Sequence, residues 1–348
     1  MGNISSDEQM HSEIEETRCQ SCGGREIEAG FTLALCHECR TQLSRRPVPV
    51  WIKGITVVIV ILLVYAMAHF PSTLTAGIHY KRGVQAYADH KNLTAAREFE
   101  QASERFPDST KILARLFLAY YHSDRINEAN QVFGRISGEE AEDEEMANQI
   151  NTVITEMDRR YYAEEELEDI LAEEELEPRI KKLKQYITGH PENVSGQYYL
   201  ADSLFDAKQF TEVESIMLKL RESEPDFDIA TLLLAAAYRE TKQYDKAAVE
   251  VQSVLSGNTE SDHAYFALSR IELKQHKDEQ GLSDAQKAYE LNPDNGANIA
   301  NLALANHYTQ HLDERDHLVA LLQNRDDYSQ QELDQLTSVF NATTAWRD

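Results

Sequence analysis

Residues 225–258 read PDFDIATLLLAAAYRETKQYDKAAVEVQSVLSGN, and the pattern of this stretch returns every 34 residues. Steps of 34 from Leu234 reach Leu200, Leu268 and Leu302. Three more ladders keep the same step: Phe210, Tyr244, Asp278 and Leu312; Val213, Ala247, Gly281 and Arg315; and Leu220, Val254, Ala288 and Leu322. A period of this length predicts stacked helical hairpins, because one hairpin cannot bury both of its faces alone.

The repeat continues toward the start of the chain, with one interruption. Ala95 recurs as Ala129 and Phe99 as Phe133, but the step from Ala129 to Val213 is 84 residues, or 34 plus 50. We therefore predict an acidic helical insert that contains one degenerate unit. The resulting division is two units over 78–137, the insert over 138–192, four units over 193–325, and a capping helix with a tail over 326–348.

This arm resembles the tetratricopeptide repeat over most of residues 78–325. The resemblance rests on small residues where paired helices touch and on prolines at unit boundaries. These residues are Gly83, Ala95, Ala201, Ala235, Ala247 and Ala303, with Pro107, Pro225 and Pro293. The resemblance implies an all-α solenoid whose repeats bind other proteins.

The resemblance also implies that the first helix of each unit lines a concave groove for a protein or peptide ligand. Aromatic side chains and arginines at such positions are the types that dominate contact energies. The groove positions are Tyr80, Tyr87, Tyr121, Tyr198, Phe205, Arg239, Phe266 and Arg270. Packing between neighbouring helices explains any single aromatic residue among them equally well.

Ahead of the repeats, Gly54 to Phe70 reads GITVVIVILLVYAMAHF and contains no Asp, Glu, Lys or Arg. A bilayer is spanned by about 17–25 apolar residues, so this run predicts a transmembrane helix at the short end of the range. Two alternatives are a buried core helix and a signal peptide cleaved near Ala66. The core helix is disfavoured because no polar stripe appears, and the signal because the run starts more than fifty residues into the chain.

Positive charges near the apolar run predict its orientation. Four precede it within about 15 residues, whereas Lys81 and Arg82 are the nearest after it. The four are Arg40, Arg45, Arg46 and Lys53. This excess places the N-terminal side in the cytoplasm and the repeat arm outside it, in the cell membrane as a single-pass protein.

All four cysteines precede the apolar run, as Cys19-Gln-Ser-Cys22 and Cys36-His-Glu-Cys39. Two CxxC pairs supply the four soft ligands of a tetrahedral Zn²⁺ site, so residues 18–42 resemble a zinc ribbon with a structural metal. Phe31 to Leu35 is expected to form a short strand. Iron in a rubredoxin-like site would use the same four thiols. Residues 1–17 are polar and acidic, and we expect them to be disordered.

The charge distribution narrows the choice of partners. The chain has 34 Lys+Arg and 60 Asp+Glu, a formal net charge of −26. Residues 1–70 hold 6 and 8 of these (−2), which leaves 28 and 52 (−24) for residues 71–348. An arm this acidic repels phosphate, so we expect no nucleic acid there. The oligomeric state is left open.

Known catalytic motifs are absent from the sequence, which contains no HExxH, no GxSxG and no phosphate-binding glycine loop. We therefore expect no enzyme. The sequence favours a membrane-anchored scaffold that binds proteins or peptides through the groove. The alternative is a membrane-bound sensor or regulator whose cytoplasmic zinc ribbon contacts protein or nucleic acid.

Overall fold

The structure is a computed structural model that describes residues 18–45, 48–138, 144–323, 325 and 327–347, with 68–71 as backbone only. The predicted disordered segment, 1–17, and the acidic residues 139–143 of the insert lie outside these ranges. The all-α fold class is confirmed. Helices account for 74% of the chain, and the described ranges contain no strand.

The described residues form 17 helices. They are α1 (His37–Ser44), α2 (Val50–Ala88), α3 (Asn92–Arg105), α4 (Thr110–Tyr121), α5 (Ile126–Ile136), α6 (Glu144–Tyr161), α7 (Glu165–Leu171), α8 (Leu176–Gly189), α9 (Val194–Asp206), α10 (Phe210–Ser223), α11 (Asp228–Glu240), α12 (Tyr244–Gly257), α13 (Asp262–Lys274), α14 (Asp278–Leu291), α15 (Gly296–Tyr308), α16 (Leu312–Leu322) and α17 (Gln330–Phe340).

The chain divides into two compact units, residues 1–71 and 72–348. In the first, α1 follows the cysteine-rich segment. The expected strand from Phe31 to Leu35 is not formed. Its backbone makes single bonds, from the Gln20 amide to the Ala34 carbonyl and from the Glu28 amide to the Leu35 carbonyl. Isolated bonds of this kind do not build a ladder, because the segment has no second strand beside it.

Helix α2 begins in the first unit and is 39 residues long. Its apolar window has a mean hydropathy of 2.4 and is 0% buried. A core helix would bury this window, so the core-helix alternative does not fit the structure. By length and composition, α2 is long and apolar enough to cross a membrane.

The second unit is an array of helical hairpins. Five hairpins pair α4 with α5, α9 with α10, α11 with α12, α13 with α14, and α15 with α16. A sixth pairs the end of α2 with α3, where Tyr80 packs on Phe99. The first helices of successive hairpins also pack against each other from α9 through α11 and α13 to α15. We call the first helices of all the hairpins, which also include the end of α2 and α4, the inner layer. The insert helix α6 contacts both α4 and α9, and therefore connects the early repeats with the later ones.

Small residues allow the paired helices to approach closely. The six small positions quoted above are all buried. A Cβ added to Gly83 would lie 2.7 Å from the Phe99 ring, and one added to Gly281 would lie 2.7 Å from Leu273. Side chains do not tolerate such distances, so both hairpins require glycine at the crossing.

The turns inside the hairpins repeat as regularly as the helices. In each one, a residue with φ between 57° and 64° follows the first helix, and the next amide bonds to the carbonyl five residues back. This is the Schellman ending of a helix. The turn residues are His90, Asp124, Lys208, Lys242, His276 and Gln310. Glycine is the usual residue here, and each of these turns lacks it.

Candidate functional site

The four cysteines converge in the first unit. Their Sγ atoms all lie within 4.8 Å of one another, and the cysteines are free of disulfides. The Sγ atoms of Cys22 and Cys36 are 3.7 Å apart. Four Zn–S bonds of ~2.3 Å in a tetrahedron place the sulfurs about 3.8 Å apart. The four thiols therefore have the spacing of a metal site.

Local backbone geometry positions the first cysteine pair. Gly23 has φ +75°, a conformation that favours glycine, and its amide bonds to the Cys19 carbonyl at 2.8 Å. The Cys19 amide in turn bonds to the Gly24 carbonyl at 2.8 Å. Backbone amides of Cys36 and Cys22 lower the pKa of the Cys19 thiol to about 6, so its thiolate is accessible at neutral pH.

The second pair begins helix α1. The Cys39 amide points at the Cys36 sulfur, 3.4 Å away, which is a helix N-cap interaction. The His37 ring nitrogen Nδ1 is hydrogen-bonded to Glu28 at 2.6 Å outside the thiol cluster, and Arg40 pairs with Glu28 at 2.8 Å. Glu28 thereby joins the segment between the two cysteine pairs to α1. Contacts of this kind, outside the thiols themselves, help to orient the residues that would hold a metal.

All eight predicted groove residues lie on first helices, but their contacts fall into separate groups. Tyr87 and Tyr121 both contact the His122 ring, with centroid separations of 5.9 and 5.1 Å. Tyr80 packs on Phe99 at 5.8 Å. Burial raises the pKa of Tyr87 to about 12, so the phenol stays neutral.

A cleft of about 700 Å³ opens beside Tyr87 and His122. Its opposite wall is α6, which contributes the carboxylates of Glu144, Glu145 and Glu156. We call it the acidic cleft. An aromatic floor with acidic walls suits a lysine or arginine side chain, which can pair with both.

Tyr121 is buried and bonded within the chain. Its hydroxyl donates to Glu156 at 2.8 Å and accepts from Arg160 Nη1 at 2.8 Å. Arg160 is 5% exposed and also donates from Nε to Glu224 at 2.9 Å. Arg159 donates to the same Glu224 oxygen at 2.7 Å. This buried network joins α4, α6 and the loop that precedes α11.

Tyr198 and Phe205 have local partners. Tyr198 packs on Phe227 with centroids 5.6 Å apart. Phe205 packs on Phe210 across its own hairpin turn at 5.3 Å. These two side chains therefore support packing between successive helices, and the structure does not bring them together with the acidic cleft.

Arg239, Phe266 and Arg270 lie in a third group, on α11 and α13. The Arg270 guanidinium carbon is 5.5 Å from the Phe266 ring centroid. Arg239 bonds to Glu240 at 2.8 Å. Burial and the charge of Arg239 lower the pKa of Arg270 to about 9, so its cation is held in a poorly solvated position.

The segment after α17 covers this third group. Trp346 lies over Arg270 and Lys274, at 4.9 and 4.7 Å from its ring centroid. The neighbouring Arg347 stacks on Tyr308 at 3.6 Å and forms a two-pronged ion pair with Asp278. Trp346 and Arg347 are not among the groove residues predicted from the sequence. An aromatic–basic pair in the otherwise small and polar stretch NATTAWRD was the available signal.

Distant repeats also meet directly. The Glu260 carboxylate accepts from the Thr94 amide and from the Thr94 hydroxyl, both at 2.7 Å. The Thr259 amide bonds to the His90 carbonyl at 2.9 Å. The partners are more than 160 residues apart, so the array curves until α3 touches the loop before α13. Glu260 thereby caps α3, which lacks a side-chain cap of its own.

The tetratricopeptide repeat family matches residues 86–148. The chain is similar to the cellulose synthase 1 operon protein C of Komagataeibacter xylinus, with 33% identity over 82 residues. This aligned region makes up 24% of this chain and 6% of that protein. The chain thus spans only a small part of that relative. The family match supports a tetratricopeptide-repeat protein.

Solved structures with a similar helical arrangement include MamA of Desulfovibrio magneticus, at 17% identity and a TM-score of 0.37 over 49% of this chain and 91% of that one. A tetratricopeptide repeat protein of Parabacteroides merdae is 12% identical, with a TM-score of 0.44 over 77% of this chain and 99% of the other.

Proposed function

We propose that this chain is a membrane-anchored, non-catalytic scaffold that binds proteins or peptides along its inner layer. The observation that supports it best is the inner layer itself, where aromatic and charged side chains line first helices in an array built of hairpins. Arrays of this kind present extended concave surfaces for protein ligands. The acidity of the arm favours a protein partner over nucleic acid.

Contact at the inner layer can be tested with photo-crosslinking residues in the full-length protein in cells. Position Tyr87 lines the acidic cleft, whereas Val249 lies on α12, a second helix, and is 66% exposed. We expect discrete crosslinked products from Tyr87 and none of the same size from Val249. Products from Val249 alone would place binding on the outer helices and refute the proposal.

The membrane anchor in this proposal is α2, with the cysteine-rich unit in the cytoplasm and the arm outside. The exposed apolar window and the excess of positive charge before it support this arrangement. Extraction at alkaline pH should leave the protein in the membrane pellet. Protease added to intact cells should degrade the arm, and degradation only after lysis would reverse the orientation.

For the cysteine cluster we propose structural Zn²⁺, held by Cys19, Cys22, Cys36 and Cys39. Four thiolates fill a tetrahedral shell and leave no position for a substrate. A unit this small gains its folding energy from the metal. Elemental analysis of the purified protein should give one zinc per chain, and replacing Cys36 by Ser should abolish it. A coloured, iron-containing sample would refute zinc.

A further inference from the structure

The third group of inner-layer residues already holds an occupant, which is the segment after α17. Trp346 is partly buried against the hydrophobic core around α15. Its backbone carbonyl accepts a bond from Lys274 at 2.6 Å. Lys274 is also paired with Glu240 at 3.2 Å. The same lysine thus holds the segment by its backbone and by the Trp346 ring.

Arg347 provides a second and more directional set of contacts. Its guanidinium donates to both oxygens of Asp278 and to the Leu273 carbonyl, the latter at 2.8 Å. The Tyr308 ring lies against the guanidinium face at 3.6 Å. A two-pronged pair combined with a stacked ring selects arginine over lysine, because only the planar guanidinium satisfies both.

The site around these contacts is complementary to an aromatic side chain as well. Arg270 and Lys274 present two cations, and both face the Trp346 ring. The face of an aromatic ring stabilises a partly desolvated cation, so this position favours an aromatic residue of a ligand. Without the segment, the Arg270 cation would keep the Phe266 ring and the repulsion of Arg239 but would lose the stabilising contact with the Trp346 ring.

We propose that Arg270, Lys274, Asp278 and Tyr308 form a binding site for an aromatic residue followed by arginine, and that Trp346 and Arg347 occupy it within the same chain. The occupant that matters for function is a partner segment with the same aromatic–arginine chemistry. It competes with residues 346–347 for the site. This inference rests on the proposed scaffold function and specifies the ligand of one part of its inner layer.

Competition within the chain makes a quantitative prediction. A tethered segment acts at an effective concentration on the order of millimolar for a short linker. A free peptide must therefore bind much more weakly to the intact protein than to a variant without the tethered side chains. We expect the difference to be at least tenfold.

The test uses the full-length protein in detergent and a fluorescein-labelled peptide, NATTAWR, which copies residues 341–347. The double variant Trp346→Ala/Arg347→Ala should bind the peptide, and the unaltered protein at least tenfold more weakly. The peptide NATTARW, with the last two residues exchanged, should bind neither. Equal binding to both proteins, no binding to the variant, or equal binding of the exchanged peptide would each refute the proposal.

A matched pair of substitutions tests the residues of the binding site. In the double-variant background, Asp278→Asn should weaken peptide binding at least tenfold. Glu279→Gln removes the adjacent, exposed carboxylate of the same helix turn and should leave binding unchanged. Equal effects of the two substitutions would point to general charge attraction and overturn the assignment.

A second measurement needs no change in the segment itself. The chain has two tryptophans, so Trp51→Phe leaves Trp346 as the single emitter. We expect acrylamide to quench Trp346 poorly, and Asp278→Asn to increase the quenching. Quenching like that of free tryptophan in the otherwise unaltered protein would refute occupancy. The Tyr87 crosslinks report on a different group of residues, so their persistence would show that the scaffold function survives a failure here.

Discussion

Replacing Glu224 by Ala should destabilise the arm more than any other single loss of a carboxylate in the network around α6. Glu224 is 4% exposed and accepts bonds from Arg159 and Arg160, of which Arg160 is 5% exposed. Breaking a buried ion pair from one side costs about 3–5 kcal/mol, since a charge is left behind without compensation.

Arg160 retains other partners in the variant, which places the expected cost at the lower end. Its Nη1 still donates to the Tyr121 hydroxyl at 2.8 Å and lies 3.5 Å from Glu156. We therefore expect about 3 kcal/mol for Glu224→Ala. Glu224→Gln keeps one acceptor oxygen and should cost about 2 kcal/mol. Arg159 is 45% exposed, so Arg159→Ala should cost under about 1 kcal/mol.

Hydrogen exchange is the appropriate assay, because repeat arrays do not unfold as a single unit. The loss of protection should be concentrated in α6, which the network fastens to the loop before α11. Glu222→Ala removes an exposed carboxylate two residues away and should change protection by less than about 0.5 kcal/mol. If Glu224→Ala costs no more than this control, the network does not hold α6 and the reasoning fails.

Three further predictions concern stability and the metal. Lys208→Gly should raise the hydrogen-exchange protection of α9 and α10 by about 0.5–1 kcal/mol, because φ is +58° at this turn, whereas Lys208→Ala should give no gain. Burial and the facing Asp284 raise the pKa of Glu272 to about 7. The unfolded chain therefore loses this proton first, and the stability of the arm should fall between about pH 4.5 and 7. Glu272→Gln should flatten this pH dependence, measured as the melting temperature. Chelation should unfold the cysteine-rich unit while the helical circular dichroism of the arm persists, and simultaneous melting of the arm would contradict two independent units.

The repeat architecture could be predicted from the sequence because hairpin packing imposes a period. Ala201, Ala235 and Ala303 are fully buried at the positions where the ladders required small residues. The hairpin turns gave no such signal. Their left-handed residues include lysine, histidine and aspartate, and the usual marker, glycine, is absent from them. The helices could thus be predicted from the sequence, whereas the conformation of the turns could not.

The grouping of the inner-layer residues was beyond sequence reasoning for a different reason. Periodicity places Tyr121 and Arg270 on first helices, but each of them contacts a group that lies outside the repeat register. Tyr121 is paired with Arg160 of the insert, and Arg270 is covered by Trp346. No spacing rule relates these partners, because the insert and the final segment do not share the period of 34.

The contact between Glu260 and Thr94 was equally unpredictable, since it joins elements 166 residues apart. It depends on how much each hairpin rotates relative to the last, and small rotations accumulate along an array. Because this capping bond can form only when the array curves, the curvature contributes to the stability of the arm. Glu260→Ala should therefore expand the arm as well as weaken the start of α3.

The acidic cleft and the third group of residues differ in charge. The acidic cleft presents Glu144, Glu145 and Glu156, whereas the third group presents Arg270 and Lys274. Under the proposals above, a basic side chain fits the acidic cleft, whereas an aromatic residue followed by arginine fits the site of Arg270, Lys274, Asp278 and Tyr308. A basic residue in place of the aromatic one would face Arg270 and Lys274, and like charges brought together cost several kcal/mol (about 2–4) in specificity. The net charge of −26 gives no indication of this local difference, since it is summed over the whole chain.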